Sequence, residues 1–184
     1  MSYKIAINGY GRIGRCVLRA FYESTNYADL RIVAINDLAD IENLAHLTRY
    51  DSTHGRFLGE VEQGDGELLV SGDAIRVSQQ ADVTALAWAD LGIDLVMECS
   101  GAFTNRSTAQ LHIANGAKRV LFSQPADSDV DATLVYGINH ETLAADATII
   151  SNASCTTNCI VPVLKTIDDA FGIDHGVITT IHSA

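Results

Sequence analysis

Residues 4–14 have the sequence KIAINGYGRIG, in which an apolar run leads into three closely spaced glycines. The apolar run over residues 4–8 predicts a short buried strand. A helix is predicted over residues 12–22, because apolar side chains recur there at helical spacing: Ile13, Val17, Leu18 and Phe21. Between strand and helix lie Gly9, Gly11 and Gly14 in a GxGxxG pattern. The pattern alone also arises by chance, so its value depends on the neighbouring elements.

A second apolar run gives the glycines their context. Residues 30–36 predict a strand parallel to the first, and Asp37 follows it, 23 residues after Gly14. In such a unit the glycines let the backbone approach a pyrophosphate at the helix N-terminus. The Asp37 carboxylate is placed to accept hydrogen bonds from the adenosine ribose and to repel a 2′-phosphate, which favours NAD over NADP. The alternative interpretation of Asp37 is a surface helix cap.

Two later apolar runs, residues 94–98 and 119–123, predict further strands of the same sheet. Ligands of open parallel sheets bind at the carboxyl ends of strands, so Ser100 and Ser123 are expected to border the cofactor. Phe103 is a candidate wall of the adenine pocket, although a single aromatic residue after a strand is more often part of the core.

Residues 59–77 differ from the rest, because turn signals at Asp65-Gly66 and Gly72-Asp73 divide them into short segments. This pattern predicts antiparallel hairpins inserted between parallel strands. The expected fold is therefore an α/β fold with a Rossmann-type, doubly wound, mostly parallel sheet and an inserted antiparallel hairpin region.

The segment SNASCTTNC, residues 151–159, surrounds Cys155 with polar residues. A strand is predicted over residues 148–150 and an apolar helix from Ile160 onward, which places Cys155 in the first helical turn. Unpaired backbone N–H groups and the helix dipole stabilise a thiolate at that position. A free cysteine is more often part of the core, but polar neighbours would be an unusual lining for a buried thiol.

His182 completes this candidate site. Residues 176–182, GVITTIH, predict a strand that delivers the imidazole at its end and lowers the pKa of the thiol further. Cys159 follows Cys155 by one helical turn, but no further Cys or His pair has the spacing of a tetrahedral site. We therefore predict no metal site and interpret Cys159 as a packing residue.

Charge and composition limit the function classes. The 184 residues carry a net charge of −11, and residues 60–184 contain five Lys or Arg against seventeen Asp or Glu, so a nucleic-acid footprint is not expected. The chain has no apolar run of about 18 residues and no signal-peptide pattern, so neither a membrane span nor secretion is expected. Four cysteines without framework spacing fit a reducing compartment, and the expected location is cytoplasmic.

Five segments together resemble the glyceraldehyde-3-phosphate dehydrogenase family. They are residues 8–15, 35–38, 50–57, 151–159 and 179–182. Residues 122–125, 131–139 and 182–184 are more similar to the erythrose-4-phosphate dehydrogenase branch of that family. Asp37-Leu38, where that branch often has a glutamate, is more similar to the glycolytic enzyme.

The resemblance implies oxidation of a small phosphorylated aldehyde with NAD. Cys155 would attack the aldehyde and His182 would act as the base. Ser154 and Thr156 would lie near the phosphate-binding region, and Arg12 and Ile13 would contact the cofactor pyrophosphate. Hydrolysis of the resulting thioester would give 4-phosphoerythronate in the erythrose enzyme, whereas attack by phosphate would give an acyl phosphate in the glycolytic one.

The resemblance also implies a domain organisation. Residues 1–154 would form the NAD-binding domain, and residues 155–184 the beginning of a catalytic domain that continues much further in the family. The full-length enzyme is expected to be a homotetramer. A chain truncated at residue 184 is expected to be inactive and to self-associate through its exposed apolar surface.

A non-catalytic interpretation remains open from the residues alone. A Rossmann module that binds NAD as a sensor or scaffold, or a redox sensor with a cysteine of low pKa, needs only what is present in this sequence.

Overall fold

The computed structural model describes residues 2–24 and 26–182, which form an α/β fold. The helices are α1 (Arg12–Glu23), α2 (Ile41–Arg49), α3 (Trp88–Leu91), α4 (Arg106–Ala114) and α5 (Cys155–Phe171). The strands are β1 (Tyr3–Asn8), β2 (Leu30–Asn36), β3 (Tyr50–Asp51), β4 (Gly55–Arg56), β5 (Val61–Gln63), β6 (Glu67–Val70), β7 (Asp73–Ser78), β8 (Leu95–Glu98), β9 (Arg119–Phe122), β10 (Ala132–Thr133) and β11 (Ile149–Ser151). Single 3₁₀ turns lie at Val83–Ala85 and His140–Thr142.

Nine of the described strands form one sheet, in the order β10-β11-β9-β8-β1-β2-β7-β6-β5. The pairs from β10 to β7 are parallel, whereas β6 pairs antiparallel with both β7 and β5. The predicted Rossmann-type sheet with an inserted hairpin region is thereby confirmed. The chain leaves β1 toward β2 on one side and later returns to β8 on the other, so the carboxyl end of β1 is the switch point at which such folds bind ligands.

The central strands of the sheet are buried on both faces, and their side chains alternate between two apolar clusters. Ile5 and Ile7 of β1 pack into one apolar cluster with Leu18 of α1. Ala6, which points to the opposite face, belongs to a second cluster with Trp88 and Phe122. This double burial follows from the period of two in a strand and explains why the central residues 5–7 of β1 are all apolar.

Two predictions about the C-terminal region are wrong. Residues 176–182 form no strand and are exposed, because no described strand lies beside them to accept their backbone hydrogen bonds. Cys159 is exposed rather than part of the core, and no described residue of α5 is buried. Ser183 and Ala184, which belong to one of the segments similar to the erythrose branch, lie outside the described residues.

Within the described ranges, the helices are all too short or too polar to cross a bilayer.

Candidate cofactor and catalytic site

The glycine turn between β1 and α1 is packed tightly against the end of β8. Gly9 has φ +89°, and a Cβ atom there would lie 2.3 Å from the Ser100 backbone. A Cβ atom on Gly14 would lie 2.3 Å from the Gly9 carbonyl oxygen. Both positions therefore need glycine, one for its backbone conformation and contact, the other for close approach of helix to turn.

Gly11 has a different function in the same turn. It is the N-cap residue of α1, and a Cβ atom there would meet nothing within 4 Å. The first turn of α1 carries no acidic side chain, so the helix itself supplies no negative charge that competes for its unpaired N–H groups. Such an N-terminus fits an anionic pyrophosphate.

Asp37 holds the glycine turn from the end of β2. The Tyr10 N–H donates to Asp37 Oδ2 at 2.6 Å, and the Ala39 N–H donates to Oδ1 at 2.9 Å. Asp37 is not the N-cap of α2, since that position belongs to Asp40, whose side chain accepts from the Asn43 N–H. The helix-cap interpretation of Asp37 is therefore wrong.

A cavity of about 370 Å³ opens at the carboxyl ends of β1, β2 and β8. Five of the residues predicted to bind the cofactor line it: Gly9, Gly11, Asp37, Ser100 and Phe103. Further lining residues are Asn8, Asn36, Leu38, Gln80, Ala81, Val83, Cys99 and Ala102. The wall is apolar around Leu38, Val83 and Phe103 and polar near the glycine turn, which suits an adenine ring joined to a ribose and phosphates.

Four other predicted residues do not line this cavity. Ile13 and Arg12 lie exposed in the first turn of α1, and Arg12 Nη1 is 3.1 Å from Asp51 Oδ2. Gly14 is buried beneath the turn. Ser123 donates its hydroxyl to Gln124 Oε1 at 2.8 Å. Ser123 thus belongs to the loop after β9 rather than to the cavity wall.

Backbone donors fix the Asp51 carboxylate that pairs with Arg12. The N–H groups of His54 and Thr53 donate to Asp51 Oδ1, and with the Arg12 guanidinium they hold the pKa of Asp51 well below its usual range. Arg12 is therefore paired with a carboxylate that stays ionised at neutral pH.

Cys155 begins α5, as the sequence predicts. The helix is capped by Ser154, whose Oγ accepts from the Thr157 N–H at 2.9 Å and lies 2.9 Å from Thr156 Oγ1. Cys155 Sγ lies 3.3 Å from His182 Nε2. The hydrogen bond with His182 is the largest cause that lowers the pKa of the Cys155 thiol, and the Thr156 N–H at the helix start adds to it.

The environment of Cys99 shows the opposite effect on a thiol. Cys99 is buried at the end of β8, beside the cavity, and burial raises its pKa to about 11. The contrast between the two thiols arises from their solvent exposure and from the hydrogen bond between Cys155 and His182.

A buried polar chain at the floor of the cavity is not evident from the sequence. It joins Asn8 and Ser100, which line the cavity, to Glu98, His112 and Trp88, which lie behind it. The one signal in the sequence is a carboxylate at the end of an otherwise apolar strand, LVME in β8. Its partners are distant in sequence, so local pattern does not reveal the chain.

Comparison with protein families gives two matches. Residues 3–106 match the glyceraldehyde 3-phosphate dehydrogenase NAD binding domain, and residues 154–184 match the C-terminal domain of the same enzyme. The first match alone covers more than half of the chain and contains the glycine turn, Asp37 and Phe103. The second begins at the residue that caps α5 and contains Cys155 and His182. Residues 3–106 therefore belong to an NAD-binding domain, and residues 154–184 belong to the C-terminal domain of an oxidoreductase. The chain is thus a member of the glyceraldehyde 3-phosphate dehydrogenase family.

Proposed function

We propose that this protein oxidises the aldehyde of erythrose 4-phosphate to 4-phosphoerythronate, with Cys155 as nucleophile and His182 as general base. The observation that carries the chemistry is the 3.3 Å contact between Cys155 Sγ and His182 Nε2 at the start of α5. A thiol that combines exposure, a helix N-terminus and an imidazole partner has the surroundings of a reactive cysteine.

NAD supplies the hydride acceptor when it is bound. The residues present fit the dinucleotide, since the open N-terminus of α1 at Gly11 suits a pyrophosphate and the cavity beside Asp37 suits the adenosine. Asp37 keeps its carboxylate at the cavity edge through backbone hydrogen bonds, which supports a preference for NAD over NADP.

The first step uses the pair at the start of α5. His182 accepts the thiol proton, and the Cys155 thiolate forms a bond to the aldehyde carbon while the C=O π electrons move to oxygen. The oxygen takes up a proton to give a hemithioacetal. The Cys155 N–H, which is free of an intrahelical partner at the first helical position, is available to that oxygen.

In the second step His182 removes the hydroxyl proton of the hemithioacetal. The carbonyl re-forms as the C–H electron pair leaves with hydrogen as hydride, and the product is a thioester on Cys155. Water then adds to the thioester carbon and the C–S bond breaks, which releases the carboxylate and regenerates the thiolate. After His182 has released the hydroxyl proton to solvent, the neutral imidazole lies close enough to Sγ to take a proton from that water as well.

We further propose that Ser154 and Thr156 bind the phosphate of the substrate or lie beside it. Their hydroxyl oxygens are 2.9 Å apart and flank Cys155 at the N-terminus of α5. Hydroxyl groups and a helix N-terminus together favour an anion.

The choice of erythrose 4-phosphate rests on the similarity of residues 122–125 and 131–139 to that branch. Asp37-Leu38 supports a second candidate, the phosphorylating oxidation of glyceraldehyde 3-phosphate. The two functions differ in how the thioester is resolved, by water or by inorganic phosphate.

An assay of the full-length protein distinguishes them. NADH formation is followed with each aldehyde, with and without inorganic phosphate, and a Cys155→Ser variant serves as the control for background oxidation. We expect erythrose 4-phosphate to be oxidised without added phosphate. A strict phosphate requirement with faster turnover of glyceraldehyde 3-phosphate would assign the glycolytic function instead.

A further inference from the structure

Glu98 is a fully buried carboxylate that lies next to the cofactor cavity but does not line it. Among the described residues it has four hydrogen-bond donors, which come from both sides of the cavity floor. The Ser100 N–H and hydroxyl donate to Oε1 at 2.8 and 2.5 Å. Asn8 Nδ2 lies 2.6 Å and His112 Nε2 3.1 Å from Oε2.

The hydrogen bonds of His112 settle its tautomer. Trp88 Nε1, which can only donate, lies 3.0 Å from His112 Nδ1. Nδ1 must therefore be unprotonated, and Nε2 carries the hydrogen that it donates to Glu98. The imidazole is neutral in this arrangement, so Glu98 has no cationic partner among its four donors.

A buried carboxylate without a cation is costly unless its oxygens are fully hydrogen-bonded. Burial by itself raises the pKa of Glu98, but the hydrogen bonds from His112, Ser100 and Asn8 outweigh it and hold the pKa below its usual value. Glu98 is therefore ionised. If this position of β8 served only for packing, an apolar residue would be expected there, as at the neighbouring Val96.

Glu98 accepts hydrogen bonds from Ser100 and Asn8, which both line the cavity. Ser100 is the residue against which Gly9 packs, with only 2.3 Å available for a Cβ atom. Asn8 directly precedes Gly9, and its Oδ1 accepts from Asn36 Nδ2 at 2.8 Å, which extends the connection to the end of β2. Movement of the Glu98 carboxylate would therefore displace the glycine turn.

We infer that Glu98, oriented by His112 and Trp88, is a positioning residue for the cofactor: it fixes Ser100 and Asn8 on opposite sides of the glycine turn without touching the cofactor. The inference rests on NAD binding at this cavity. It predicts that the affinity for NAD depends on the hydrogen bonds of Glu98, while the chemistry at Cys155 does not.

The test compares Glu98→Gln with the unaltered full-length protein. The glutamine has the same shape but turns one acceptor oxygen into a donor that faces Asn8 and His112 or Ser100. We expect the KM and the Kd for NAD to rise about tenfold, as loss of a charged hydrogen bond implies, with kcat at saturating NAD unchanged.

Three further variants separate positioning from general stability. Val70→Ala removes buried apolar volume in β6, away from the cavity, and should lower the melting temperature without changing the KM for NAD. His112→Leu removes one donor to Glu98, and we expect the KM for NAD to rise, whereas His112→Gln, which can still donate, should restore most of the affinity. These histidine variants test the inference even if Glu98→Gln does not fold.

An unchanged KM for NAD in folded Glu98→Gln or His112→Leu would overturn the inference. An equal rise of the KM for NAD in Val70→Ala would also overturn it. So would a fall in kcat of Glu98→Gln with its KM for NAD unchanged. Failure of the unaltered protein to bind NAD is a separate outcome that would contradict the cofactor site itself.

Discussion

At the scale of single residues, Asp37 has two roles in the structure, whereas the sequence indicates only its role in cofactor binding. Its carboxylate lies at the cavity edge, where a negative charge disfavours a 2′-phosphate, and it also holds the glycine turn through the Tyr10 N–H. The first task depends on charge, while the second depends on hydrogen-bond acceptors. A substitution that removes only the charge can therefore separate them.

We predict that Asp37→Asn narrows the preference for NAD over NADP, because the amide no longer repels a phosphate but keeps one acceptor for the turn. Asp37→Ala should narrow the preference and also weaken NAD binding about tenfold or more, since both backbone donors lose their partner. Isothermal titration with each cofactor measures both effects. Equal binding of NAD and NADP by the unaltered protein would contradict this account of Asp37.

At the scale of elements, the strands and the last helix show what local pattern can predict. The apolar run over residues 30–36 predicts a strand, and β2 forms over that range. The start of α5 at Cys155 is also predictable, because Ser154 is a good N-cap and the apolar run follows it.

Elements whose structure depends on distant partners are not predictable in this way. The β-branched run in residues 176–182 has strand propensity, yet a strand forms only where another strand accepts its hydrogen bonds. Glu98 and His112 are 14 residues apart in the sequence and become neighbours only through the packing of α4 behind β8. Residue type alone favours a packing position for Cys159, but the helix face that carries it is exposed.

The N-cap of α5 gives a prediction at this scale. Ser154→Ala removes the acceptor of the Thr157 N–H and should lower the free energy of unfolding by about 1 kcal/mol. The frayed first turn should also slow alkylation of Cys155, because the thiolate loses ordered backbone donors. Ser154→Thr, which retains the hydroxyl, should stay close to the unaltered protein in urea unfolding. Equal stability of Ser154→Ala would show that the cap contributes nothing.

At the scale of the whole molecule, α5 and the residues after it expose a series of large apolar side chains. Phe171 is 87% exposed, Val177 94% and Ile181 100%. The net charge of −11 opposes association of identical chains, but its effect falls with added salt, whereas apolar association does not. Large apolar side chains that are exposed close together along the chain favour association with a partner surface.

We therefore predict that the 184-residue chain self-associates, and more strongly at high salt. Replacing Phe171 and Val177 with serine should shift light scattering toward the monomer. Leu58 is 90% exposed in another part of the fold, and Leu58→Ser is the matched control that should leave the association state unchanged. A monomeric unaltered chain at high salt would contradict the prediction.

The central claim is that His182 makes the Cys155 thiol acidic and thereby a nucleophile. Its most direct test is the pH dependence of alkylation by iodoacetamide, residue by residue, in the full-length protein and in His182→Ala. Because the pKa of Cys155 is lowered, its thiolate should persist as pH falls, and Cys155 should react well before Cys16, buried Cys99 and Cys159, which is also exposed. We predict that His182→Ala moves the alkylation profile of Cys155 to higher pH; uniform labelling of the four cysteines, or an identical profile in both proteins, would contradict this role of His182.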